Sequence, residues 1–324
     1  MKKLAITTAA ALFALAACCV GGEWVYEGQW GGVGQGPGKF NSPWGIGVGS
    51  NGPIYVADVF NFRIQYFTYT GSYLGEWGKY GSGEGEFNVS RGVAVAANGN
   101  VYVVDDVNAR VQYFTPSGSF LGKWGREGSG NGEFAWPDGI AVASNGNVYV
   151  ADFYNSRVQY FTSAGSFIGK WGREGAGDGE FKHPACVALA ADGNVYVSDN
   201  GNNRVQYFTA AGSFLGKWGY YGTGKGQFNG PWGVAASPAE GRVYVADIFN
   251  YRVQYFTASG SFAGAVGIKG HGKGGFDEPA NVALNRDGSR LYVADTLNHR
   301  VQYFRWSGPA VTPTSLGRVK ALFK

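Results

Sequence analysis

The stretch Val148–Phe161, VYVADFYNSRVQYF, is the third of six near-copies in this chain. The others read IYVADVFNFRIQYF, VYVVDDVNARVQYF, VYVSDNGNNRVQYF, VYVADIFNYRVQYF and LYVADTLNHRVQYF. Their aspartates, Asp58, Asp105, Asp152, Asp199, Asp247 and Asp295, are 47, 47, 47, 48 and 48 residues apart. A fixed period of that size marks a repeat architecture, in which one unit cannot bury its apolar surface alone. What every unit shares is then scaffold. Function is to be sought in what differs between units.

Around this stretch the third unit spells four strands. Gly139–Val142 is short and apolar, and Ser144-Asn145-Gly146-Asn147 is a hairpin turn. Val148–Asp152 and Arg157–Phe161 follow, then a turn at Ser163–Gly165 and a last strand, Phe167–Trp171. Four antiparallel strands per period predict a propeller blade, and six periods predict a ring of six. Blades are sandwiched between neighbours, which accounts for apolar side chains on both faces of Val-Gln-Tyr-Phe. The sixth unit stops after its third strand, Arg300–Trp306, while the chain begins with an orphan strand, Glu23–Trp30, followed by a loop of the inter-blade type. The N-terminal strand is therefore expected to complete the last blade and remove an unpaired edge. The fold class is all-β: a six-bladed β-propeller of four-stranded antiparallel blades.

The recurring P-x-G-[IV]-x-V, N-G-N-V-Y-V-A-D, N-x-R-V-Q-Y-F, G-S-F-L-G-K-W-G and G-x-G-x-G-E-F segments resemble the NHL repeat over about residues 24–305. The resemblance implies a six-bladed propeller. It does not imply one chemistry, because the fold carries lyases as well as RNA-binding, protein-binding and sensor modules.

The ends differ from the repeats. Lys2 and Lys3 precede an apolar run, Leu4–Ala17, too short to span a bilayer comfortably. Leu15-Ala16-Ala17-Cys18 resembles the lipobox of bacterial lipoproteins, with Cys18 as the lipidated residue; ordinary signal cleavage after Ala16 or Ala17 is the other reading. Three regions follow: residues 1–18 as an export signal, 23–306 as the propeller, and 307–324 as a linker with a short basic tail. The chain is expected outside the cytoplasm, in the cell envelope, lipid-anchored or secreted. Its net charge of +4 is too small to argue for nucleic acid. Membrane contact is expected only through the lipid anchor, and the protein as a monomer.

Six identical Asp and Arg positions read as scaffold, a bidentate brace at the turn, since a catalytic site needs an asymmetric set of roles. The glycine-rich loops, such as Gly125–Phe134, lead into strands and lack the helix N-terminus of a phosphate cradle. NHL-like amidating lyases bind zinc through histidines at equivalent blade positions. Here His183, His271 and His299 fall at non-equivalent positions, so neither a metal site nor a cofactor is expected. Cys186 stands where four other units have glycine and reads as a small buried residue.

The residue after each loop-end proline position does vary, reading Trp44, Arg91, Asp138, Ala185, Trp232 and Ala280 around the ring. These positions should face the channel mouth, with both tryptophans on one side and Asp138 across from them. Loops on the same face carry Phe60, Phe62, Phe153, Tyr154, Phe249 and Tyr251, with Trp136 nearby. They form either a binding platform or ordinary inter-blade packing. The expected ligand is a protein or a carbohydrate, held by Trp44, Arg91, Asp138 and Trp232. The alternative is a lyase- or hydrolase-type enzyme with Asp138 as acid/base and Arg91 stabilising an anion. No nucleophile–base pair recurs, so no catalytic set is assigned and the balance leans away from an enzyme.

Overall fold

The computed structural model describes residues 22–50, 52–237 and 241–308. The expected export signal with Cys18 and the tail beyond residue 308 lie outside the described residues. Six four-stranded antiparallel sheets form the blades. Blade 3 consists of Pro137–Val142, Val148–Asp152, Arg157–Phe161 and Phe167–Trp171. Only the first strand departs from the sequence expectation. It starts two residues early, at Pro137, which pairs with Asp152; proline is tolerated there because the first strand residue need not donate to the ladder.

Blade 6 closes as the orphan strand requires. Trp24–Gly31 runs antiparallel to Arg300–Trp306, with Trp24 opposite Trp306 and Gly31 opposite Arg300. Arg290 clamps the added strand through one edge of its guanidinium, Nε and Nη2 donating to the two Glu27 carboxylate oxygens at 2.7 and 3.1 Å. Trp24 is buried against Tyr244 of blade 5, ring centroids 5.8 Å apart. The first and last segments of the ring thus share one sheet, with apolar packing to the neighbouring blade.

The shared sequence is scaffold in a literal sense. Asp152 is fully buried. Its Oδ1 accepts the Ala135 N–H at 2.8 Å, and its Oδ2 accepts Arg157 Nε at 2.7 Å, Asn155 Nδ2 at 2.9 Å and Gln159 Nε2 at 3.1 Å. Arg157 and Gln159 reach on to the Glu133 carbonyl, and Gln159 Oε1 accepts the Gly132 N–H. One carboxylate therefore ties the strand turn to the glycine-rich loop entering the blade. The same bonds recur about Asp58, Asp105, Asp199, Asp247 and Asp295. Burial raises the Asp152 pKa, while the Ala135 N–H, Asn155 and Arg157 oppose the shift.

Between blades, tyrosines act as cross-pins: Tyr102 is buried and its hydroxyl donates to the Ser163 carbonyl of the next blade at 3.0 Å. Gly118, at φ 92°, is required because a Cβ there would fall 2.6 Å from the Trp77 ring. Near the axis the innermost strands crowd together. A Cβ on Gly92 would sit 2.4 Å from the Asp138 carbonyl oxygen. Glycine at that position brings Arg91 of blade 2 and Asp138 of blade 3 to adjacent places on the mouth.

Candidate functional site at the channel mouth

The mouth is built from residues entering the innermost strands. The residue before each strand is left-handed: Ser42, Val89, Trp136, His183 and Glu278 have φ of 57°, 65°, 53°, 56° and 50°. This turn delivers the next two residues to the axis. Val89 is unusual, since a β-branched side chain disfavours positive φ. Ser90 is unusual too. It stands where the other five blades have proline, and its hydroxyl is buried without a hydrogen-bond partner.

Trp44, Arg91, Asp138 and Trp232, from blades 1, 2, 3 and 5, meet in one cluster. Trp232 Nε1 donates to Asp138 Oδ2 at 2.9 Å. Arg91 Nη1 lies 3.5 Å from the same oxygen, and its Cζ lies 4.6 Å from the Trp44 ring centroid. The two indoles meet edge to face, 5.3 Å apart at 87°. They take the space over the mouth where Ala185 and Ala280 contribute only methyl groups. Asp138 is thus bonded to Trp232 across the mouth, so the two sides that the ring order sets apart meet in one cluster. The expectation treated the mouth as an open circle, whereas indoles of this length reach across it.

A fifth side chain completes the cluster. Asp106 follows the repeated Asp105 and is buried. Its Oδ2 accepts Arg91 Nε at 2.6 Å, and its Oδ1 is buried with no hydrogen-bond partner. Sequence reading passed over it, although the position varies as Val59, Asp106, Phe153, Asn200, Ile248 and Thr296. That variation, at a position following an invariant aspartate, was the available signal.

The electrostatics follow from burial. Desolvation pushes Asp138 up to about 7, helped by the Asp106 charge and opposed by Arg91 and by the Trp232 and Trp44 indole N–H groups. Asp106 is also raised, chiefly by burial, against the pull of Arg91. One cation thus faces two carboxyls in a dry setting, which favours the protonated form of each more than water would. A buried carboxyl of this kind can give or take a proton as well as hydrogen-bond a ligand.

Two cavities flank this cluster. One, about 110 Å³, is lined by Arg91, Asp106, Trp136, Asp138, Phe153, Tyr154 and Trp232. The other, about 230 Å³, is walled on its apolar side by Trp44, Phe60, Val107 and Leu297 and shares Arg91, Asp106 and Trp136 with the first. The aromatics divide between the two roles anticipated for them. Phe153 is sandwiched between His183, at 4.7 Å, and Trp232, at 5.6 Å, and serves as packing. Trp136, Tyr154, Phe60 and Phe249 are each about half exposed on the rim.

The histidines stay apart. His183 stacks on Phe153, His299 Nδ1 accepts the Ser42 N–H at 3.1 Å, and His271 pairs with Asn298. Among the described residues no three His, Cys, Asp or Glu side chains converge as a metal site would require. Cys186 is buried in the channel wall, its thiol pushed up to about 12 by burial.

The chain carries NHL repeats: the NHL repeat family profile matches residues 40–67, 134–161, 181–208 and 228–256, in blades 1, 3, 4 and 5. Blade 2, which supplies Ser90, Arg91 and Asp106, lies outside those matches. No curated protein matches the chain in sequence. Solved propellers match its shape. A streptogramin B lyase is 13% identical with a TM-score of 0.59, covering 88% of this chain and 97% of its own. A gluconolactonase from Xanthomonas campestris is 13% identical with a TM-score of 0.62, covering 88% and 98%. A protein of unknown function from Bacteroides thetaiotaomicron is 15% identical with a TM-score of 0.66, covering 86% and 76%. At this identity the likeness is one of fold.

Proposed function

We propose that this propeller is an extracytoplasmic binding module whose ligand, a protein or a glycan, docks at the channel mouth. The observation that carries the reading is the convergence of the non-repeated residues. Trp44, Arg91, Asp106, Asp138 and Trp232 come from four blades, differ from blade to blade, and line two cavities under a half-exposed aromatic rim. A scaffold alone requires only that these positions fit, as Ala185 and Ala280 do. Support for export is the basic and apolar leader with Cys18. Trp24 starts at the end of blade 6 opposite the mouth, so a lipid at Cys18 would tether the far face and leave the mouth pointing outward. The test is to present purified protein, and its Trp136→Ala variant, to envelope proteins and to immobilised glycans. Binding by the parent and loss in the variant, at unchanged melting temperature, is the expected outcome. Equal binding would move the ligand site elsewhere.

A second reading rests on Asp138. A buried carboxyl with its pKa near 7 beside a fixed guanidinium can act as a general acid or base while the cation steadies a developing anion. Solved propellers of similar shape include a lyase and a gluconolactonase, which supports an enzymatic reading without giving its residues. Turnover of lactone or ester substrates that disappears in Asp138→Asn, with the fold intact, would favour it over simple binding.

A further inference from the structure

We infer that the mouth recognises a neutral saccharide of at least two sugar units, straddling the Arg91–Asp106 pair. This rests on the mouth being the binding face and names the chemistry it takes. Arg91 and Asp106 line both cavities, with Trp136 the third shared residue, so the pair is within reach of a ligand that occupies both. Arg91 and Asp106 neutralise each other through the 2.6 Å bond, so the pair offers no net charge to attract an ion. What it offers is hydrogen-bonding capacity. Asp106 lines both cavities, and its Oδ1, shielded from bulk water in a side chain only 2% exposed, has no partner among the described residues. Such a group is costly unless something donates to it. The Arg91 side chain keeps about one-fifth of its surface open, leaving donor capacity beside that acceptor. A ligand that fits must supply donors and acceptors side by side, and vicinal hydroxyl groups do this.

The walls agree. Trp136 and Tyr154 stand edge to face at 5.5 Å on the rim of the smaller cavity, giving flat apolar surface for the C–H face of a pyranose ring. The larger cavity, with Trp44 and Phe60 on its walls, has room for a second ring. Asp106 and Asp138 are buried while Trp136, Tyr154 and Phe60 are half exposed, an arrangement that suits a small ligand entering the cavities better than the flat surface of a folded protein. An anion would meet the second carboxyl, Asp138, and a cation would meet Arg91.

The experiment titrates cellohexaose, chitohexaose, maltohexaose, xylohexaose and mannohexaose, with trigalacturonate as the anionic arm, against the described propeller in its full chain. Intrinsic tryptophan fluorescence and calorimetry give the readouts. Arg91→Ala leaves two buried carboxyls without their cation and can unfold the protein, so the deciding variant is Trp136→Ala, whose side chain is half exposed. Tyr220→Ala, at an exposed position that lines neither cavity, is the control. At least one neutral hexaose should bind, weaken tenfold or more in Trp136→Ala, and bind Tyr220→Ala as it binds the parent. Absence of binding by every neutral hexaose, preference for trigalacturonate, or binding indifferent to Trp136→Ala overturns the saccharide assignment. If no sugar binds while Trp136→Ala still abolishes capture of an envelope protein, the saccharide assignment fails and the mouth remains the binding face.

Discussion

Trp232 of blade 5 donates its indole N–H to Asp138 of blade 3 at 2.9 Å, across the channel mouth and 94 residues along the chain. That bond makes Asp138 a structural member of the mouth as well as a chemical one. Its alanine variant would leave Trp232 and Arg91 facing a hole, so binding tests there need isosteric replacements.

Asp138→Asn should flatten the dependence of stability on pH. The folded pKa, about 7, lies above the ordinary value of 3.8. Below about pH 4 both folded and unfolded chains hold the proton, and stability is at its fullest. Between about 4 and 7 only the unfolded chain releases it, so stability falls by about 1.4 kcal/mol per pH unit. Above about 7 the loss levels off. Chemical denaturation from pH 4 to 8 should show a steeper fall in the parent than in the variant, which keeps the slope left by Asp106 and by the raised aspartates Asp58, Asp105, Asp152, Asp199 and Asp247. Parallel profiles would mean that Asp138 is ionised throughout.

Asp152→Ala should cost about 3 kcal/mol or more, above the 1–3 kcal/mol expected for one lost hydrogen-bond partner. The structure gives this carboxylate four donors, from Ala135, Asn155, Arg157 and Gln159. Its removal strands a buried guanidinium and frees the loop ahead of the blade. Urea denaturation measures the loss, and a cost under 1 kcal/mol would show that the network tolerates a missing centre.

Ser90→Pro should stabilise the fold by about 1 kcal/mol. Five blades already place proline at this position, so the backbone accepts the ring, and the unfolded chain loses freedom. The substitution also removes a buried hydroxyl that has no partner. A rise in melting temperature is expected, and a fall would mean that Ser90 makes a contact specific to blade 2.

Trp24→Ala should open the ring at its closure. The side chain is buried between Tyr244 and Trp306, at 5.8 and 5.4 Å, and truncating such a residue costs about 3–5 kcal/mol. Deleting residues 24–30 should cost still more, since it also exposes the edge of Arg300–Trp306. Unchanged melting after either alteration would remove the strand from the list of what holds the ring shut.

The fold was legible because six copies of one pattern average out local noise. Val148–Asp152, Arg157–Phe161 and Phe167–Trp171 fall where the repeated pattern and its turns place them. Gln159 was read only as part of a strand, since nothing in a single sequence tells a buried amide that holds a loop from an exposed one. The mouth was half legible. Variation among equivalent positions pointed to Trp44, Arg91, Asp138 and Trp232. The same test applied one residue after each invariant aspartate would have found Asp106. The reach of an indole across a narrow ring depends on close strand packing at Gly92, which no periodicity reports.

Trp44 and Trp232 pose the sharpest remaining question, because their contact at 5.3 Å could plug the mouth or grip a ligand. A double-mutant cycle separates the two. Replacing each with leucine singly, then both, should give a coupling of about 0.5–1.5 kcal/mol in unfolding free energy if the edge-to-face pair stabilises the ring. For a plug, stability couples and ligand affinity does not. For a gripping pair, affinity falls in each single variant and the two losses are not additive. We expect coupling in both measurements, since Trp232 is held by Asp138 and Phe153 while Trp44 carries Arg91 on its face. Additive losses in both would show that the indoles act independently, and the mouth would then be two separate subsites with no shared wall.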